Sequence, residues 1–192
     1  MKQITLTICL VSVLYLYGNS QTMDSAAMMK AWQSFMTPGD MQKMLAKSEG
    51  VWNEEVTTWM DPGKPPQKST ATCTNKMVLN GLYQESVHKG TAMGMPFEGH
   101  GTVGYDNAKK VFVSSWIDNM GSGIMYTEGA WDNAGKSLVM KGKMTDPLTG
   151  KDTDVKEVMK FMDDNNQTME MYVAGPDGKE MKTMEIKFTR KK

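Results

Sequence analysis

Apolar residues recur every three or four positions at the start of the chain and every second position through most of the rest, with the change of period near residue 50. Met28, Met29, Trp32, Phe35 and Met36 fall on one helical stripe behind an Asp24-Ser25 start, and Pro38 ends that helix. Thr37-Pro38-Gly39-Asp40 reads as a second start, with Thr37 as N-cap and Pro38 at the first helical position. Met41, Met44 and Leu45 give the second helix an apolar side and Gly50 stops it. The two helices together form an amphipathic cover whose apolar faces need a partner.

From Val51 onward the pattern predicts strands near 51–60, 67–79, 82–92, 97–105, 110–118, 123–131, 137–145, 152–163, 167–174 and 180–190. Every connection is short turn chemistry, including Asp61-Pro62-Gly63, Asn80-Gly81, Gly94-Met95-Pro96 and Pro176-Asp177-Gly178. One turn is written twice: Tyr105-Asp106-Asn107-Ala108-Lys109-Lys110 and Trp131-Asp132-Asn133-Ala134-Gly135-Lys136. Asp and Asn bond their own main chain, so Asp106, Asn107, Asp132 and Asn133 are read as turn formers in a β-meander. None of these connections holds a crossover helix. The strands are therefore sequentially antiparallel, and a sheet of about ten strands closes to remove its edges. The expected fold is all-β: an up-and-down antiparallel barrel of about ten strands with one or two short N-terminal helices.

Met184, Ile186 and Phe188 share one face of the last strand, and Phe112 and Trp116 share one face of the fifth, with Val111, Val113 and Ile117 opposite. The fifth strand is thus apolar on both faces, and the helices or a second subunit in a homodimer are the expected cover. Glycines 99, 101, 104, 123 and 129 are expected as bend points or as places of close ligand approach.

Lys2, the apolar run Ile4 to Tyr17 and the small residues Gly18-Asn19-Ser20 read as a secretory signal, giving a division into signal (1–20), helical cap (21–49) and barrel (50–192). The expected location is outside the cytoplasm, periplasmic or secreted, with no membrane span once the signal is removed. Cys9 falls in the signal, which leaves Cys73 without a disulfide partner. With 22 basic and 22 acidic residues interspersed, the footprint of a nucleic-acid binder is missing. The composition is rich in methionine, at 21 residues, and holds two histidines.

Gly50-Val51-Trp52 at the start of the first strand and Arg190 near the end of the last resemble the calycin superfamily of lipocalin-like barrels, which implies a basic residue laid over the tryptophan. Arg over an indole is a strong cation–π geometry and ties the two ends of the barrel together. Trp59-Met60-Asp61-Pro62-Gly63, Gly94-Met95-Pro96-Phe97-Glu98-Gly99, Gly104-Tyr105-Asp106, Trp116-Ile117-Asp118 and Glu128-Gly129 extend the likeness to nearly the whole chain. In these the sequence resembles the bacterial domain-of-unknown-function family 1579, which implies a calycin-like barrel and brings no activity with it.

A barrel of this size can hold one small ligand, so the first expectation is binding of a small apolar or amphipathic molecule. Its lining would come from Trp116, Tyr126, Tyr105, Phe97, Met125 and Met140, with Glu128, Glu98 or Gln84 orienting the ligand. The second is a soft-metal site for Cu(I), with Met93, Met95, His88 and His100 as thioether and imidazole ligands; haem on His88 or His100 is a variant of it. The third is an enzyme using Glu98 and Glu128 as paired interior carboxylates, or Ser86 beside His88, or Ser114 or Ser115 beside His100. Cys73 is either a redox thiol or a buried, inert one. The balance favours a binding module over an enzyme, and no cofactor is singled out.

Overall fold

The computed structural model describes residues 24–60, 63–175 and 178–192; the expected signal at 1–20 lies outside them. Two helices, α1 (Ser25–Met36) and α2 (Asp40–Ala46), precede the strands β1 (Gly50–Thr58), β2 (Gln67–Val78), β3 (Tyr83–Ala92), β4 (Met95–Asp106) and β5 (Val111–Asp118). Then follow β6 (Met125–Asp132), β7 (Ser137–Thr145), β8 (Asp152–Phe161), β9 (Asn166–Ala174) and β10 (Glu180–Arg190). The ten close into one barrel in which each strand pairs antiparallel with its sequence neighbours and β10 returns to β1. The expected strands match these limits to within two residues.

The doubled turn is the same structure twice. Asp106 Oδ1 accepts from the backbone N–H groups of Ala108 and Lys109, and the Asp132 carboxylate accepts from Ala134 and Gly135. Each turn closes on a lysine in the left-handed region, Lys110 at φ 62° and Lys136 at φ 48°. Both copies lie at one rim, together with the Leu79–Gly81 turn and the ends of β1 and β10.

That rim is plugged. Leu45 packs inside against Phe112, Leu138 and Met140, while Trp52, Cys73, Ile186 and Phe188 form a second buried cluster beside it. The C-terminal carbonyls of a helix lack intrahelical donors, and here barrel side chains supply them. Gln84 donates to Leu45 O (2.6 Å), and Trp52 Nε1 and Asn75 Nδ2 both donate to Ser48 O (2.9 and 3.1 Å). Arg190 reaches Lys47 O and Glu49 O.

The helices differ from expectation in two ways. α2 begins at Asp40 with Gly39 as N-cap, and Gln42 Oε1 accepts from Gly39 N–H (2.8 Å); Thr37 instead closes α1, its hydroxyl donating to Gln33 O. Asn107 draws the chain into that course by donating to Phe35 O and Thr37 O (3.1 and 2.9 Å), so it docks the helices as well as forming a turn. Only α2 finds the expected partner. α1 buries none of its residues, so Trp32, Phe35 and Met36 stay exposed, and Ile117 on the outside of β5 is 48% exposed. Among the described residues no helix is long and apolar enough to cross a membrane.

Candidate functional site

Strand alternation decides which side chains enter the lumen. On β4, Phe97, Gly99, Gly101, Val103 and Tyr105 face in; on β5, Phe112, Ser114 and Trp116 do. Trp116 lies flat on the β4 backbone: a Cβ on Gly99 would stand 2.3 Å from its Cζ2, and one on Gly101 would stand 3.4 Å from its Cε3. These two glycines therefore make room for an indole. Gly104 does the same for Tyr83, and Gly123 lies ahead of β6, outside any strand.

Of the expected lining, Trp116, Phe97, Tyr105, Met125, Met140 and Gln84 face inward. Phe97 stacks on Trp116 at 6.4 Å, and Tyr105 and Met140 belong to the packing under the plug, as Gln84 does to its hydrogen bonding. Tyr126, Glu128 and Glu98 do not line the lumen. Tyr126 is 52% exposed with its hydroxyl directed to Glu128 (3.4 Å), because the inward residue between them is Thr127. Glu98 lies outside, paired with His100 (3.0 Å) and Lys89 (3.4 Å); those partners, His100 first, hold its carboxyl below the usual range. Glu98 and Glu128 thus never meet as interior carboxylates.

The copper set is not brought together either. Val87 pairs with His100 and His88 with Gly99, so the two imidazoles fall on opposite sides of the wall, while Met93 and Met95 stand exposed at the far rim (61% and 49%). Haem on His88 does not fit as the ring stands, since one nitrogen faces Glu54, the other faces Cys73, and Trp116 meets it edge-on at 4.9 Å. His100, held by Glu98 outside, offers no lumenal ligand. Those contacts also leave no histidine base for Ser86, Ser114 or Ser115.

Trp52 and Arg190 do come together: the guanidinium carbon lies 4.2 Å from the ring centroid, and Nε donates to Asp164 O (2.8 Å). Just inside that pair is a group the sequence did not single out. Register places Trp52 opposite Cys73 and Cys73 opposite His88, with Glu54 the next inward residue on β1. His88 Nδ1 is 2.8 Å from Glu54 Oε1, His88 Nε2 is 3.5 Å from Cys73 Sγ, and Sγ is 3.1 Å from Asn75 Oδ1. All four residues are buried. The order thiol, imidazole, carboxylate is that of a nucleophilic triad. Yet Cys73 is 1% exposed, and burial, then the Glu54 charge, push its thiol well above the ordinary range, so the cluster holds a neutral thiol out of a substrate's reach. A second interior carboxylate, Glu157 on β8, meets Thr127 Oγ1 (3.3 Å), and burial raises its pKa.

The fold has solved counterparts. Rv2717c from M. tuberculosis superposes with a TM-score of 0.61 at 10% identity, over 81% of this chain and 100% of that one. The S-type phycobiliprotein lyase CPES from Guillardia theta gives 0.57 at 10% identity, over 79% and 93%. At such identity the likeness is one of fold. No curated protein matches the sequence. Residues 37–190 match the family model described as protein of unknown function (DUF1579), and the chain belongs to that family.

Proposed function

We propose that this protein is an exported barrel that binds one small apolar or amphipathic molecule in the open half of its lumen. One observation carries this reading. At the plugged end the inward side chains Trp52, Phe112 and Phe188 are 0–5% exposed, whereas the inward Val56, Phe97, Trp116, Met171, Val173 and Met184 toward the other end are only half-buried. Behind a closed wall, an inward apolar side chain meets solvent only if the lumen is open. Eight strands leave an interior that side chains roughly fill, and ten leave more room. A concave apolar surface with few polar groups is the usual form of a small-molecule site. Glu157 is the polar group best placed to orient a ligand's hydrogen-bond donor. Export is supported by Lys2 and the Ile4 to Tyr17 run.

The test uses 1-anilinonaphthalene-8-sulfonate as an amphipathic probe. Saturable binding at one probe per chain is expected, weakened at least tenfold by Met184→Arg in the lumen and unchanged by Tyr126→Ala outside. Binding that does not saturate, or that ignores Met184→Arg, would sink the reading. Native mass spectrometry of protein taken from its own compartment then identifies the resident molecule.

A further inference from the structure

The Glu54, Cys73, His88 and Asn75 cluster carries an inference independent of the lumenal ligand. Nδ1 of His88 faces the Glu54 carboxylate, which directs Nε2 toward Cys73 Sγ. Asn75 is fixed by its Nδ2 donating to Ser48 O (3.1 Å), which turns Oδ1 toward the same sulfur. Three atoms able to donate an electron pair, Sγ, Nε2 and Oδ1, therefore converge in one buried site. Such a convergence in a low-dielectric interior suits a cation.

We propose that this cluster is a zinc site, with Cys73 Sγ and His88 Nε2 as the principal ligands, Asn75 Oδ1 as a third, and Glu54 orienting His88 through Nδ1.

Three features fit zinc. Zn–S and Zn–N bonds of about 2.3 and 2.0–2.1 Å at a tetrahedral angle place S and N about 3.5 Å apart, and Sγ to Nε2 measures 3.5 Å. A carboxylate on the far nitrogen of a ligating histidine is the usual supporting contact at zinc, where it fixes tautomer and ring orientation. In charge, the thiolate and the Glu54 carboxylate together balance a divalent ion, whereas Cu(I) would leave one negative charge buried. Binding forms the metal–sulfur bond as the thiol loses its proton to solvent, with no change in oxidation state.

The experiment titrates the purified full chain with Co2+ as a spectroscopic substitute and then with Zn2+. The expected result is a near-ultraviolet thiolate-to-cobalt charge-transfer band that saturates at one equivalent, is abolished by Zn2+, and is missing in Cys73→Ser; the last point excludes Cys9. Glu54→Gln should weaken Zn2+ binding about 10- to 100-fold, the usual cost of losing such a supporting contact. Because Cys73→Ser could destabilise the barrel, a second measurement uses the unmodified protein in sub-denaturing urea, where opening of the barrel exposes the buried thiol: Zn2+ should slow alkylation of Cys73, located by peptide mass spectrometry. Absence of a thiolate–cobalt band, a band that persists in folded Cys73→Ser, or alkylation unaffected by Zn2+ would each overturn the proposal.

Discussion

Replacing Arg190 with alanine tests how the barrel closes. Arg190 lies on the last strand, pairs with Trp52 on the first, and donates to Asp164 O in the β8–β9 turn and to Lys47 O and Glu49 O after α2. It therefore joins three separate stretches of chain. A partly exposed cation–π contact contributes about 1 kcal/mol. The three charge-assisted hydrogen bonds, discounted because water can replace the donor at this rim, add about 0.5–1 kcal/mol each. The loss comes to about 3 kcal/mol, and for a chain of this length that lowers Tm by about 6–12 °C. Thermal unfolding followed by circular dichroism measures it, with Lys187→Ala on the exposed face of β10 as the control. Arg190→Lys keeps the charge but not the planar fork, so it should recover no more than about half of the lost stability. A fall of less than about 2 °C in Arg190→Ala would refute the clasp, and full recovery by lysine would show that charge alone acts there.

Two further outcomes follow from the lumen. Glu157 has a raised pKa in the folded protein, so the native state binds a proton that the unfolded chain releases, and stability is lost as pH rises from the unfolded value toward the folded one. Glu157→Gln removes that loss, so its Tm should exceed the parent's at pH 8 and the gap should close toward pH 4; an equal gap at both would refute this. Gly99→Ala puts a methyl group 2.3 Å from Trp116 Cζ2, which should cost about 1–3 kcal/mol in overpacking. It should also change the near-ultraviolet circular dichroism as the indole is displaced, and an unchanged spectrum and Tm would show that the indole is not held there.

The strands were legible because each is bounded by residues with a physical reason to turn. Asp106 and Asp132 bond the backbone two and three residues on, as their composition requires. Sidedness was harder. Phe97 and Glu98 are adjacent and cannot both line a lumen, and the pairing of Gly101 with Trp116 and of Gly99 with His88 makes the odd-numbered positions of β4 the inner ones. On β6 the inner face holds Thr127 and Gly129 between Met125 and Trp131 while the outer holds Tyr126, so in the middle of the strand size points the wrong way. The plug escaped notice because an amphipathic helix looks the same whether it covers a sheet or fills its mouth. Glu54, Cys73 and His88 come from three strands, and their only signals were a lone cysteine and a shared side with Trp52 and Gln84.

The even number of strands has a consequence for how such a molecule can change. With ten strands the chain enters and leaves the wall at the same rim, where Trp52 meets Arg190 and α2 fills the mouth. Five connections, each leaving an odd-numbered strand, start from strand ends at the opposite rim. Lengthening or shortening them would reshape the entrance while leaving the seam and the stopper untouched. Durability and selectivity are thus written in different residues, and one can be rewritten without the other.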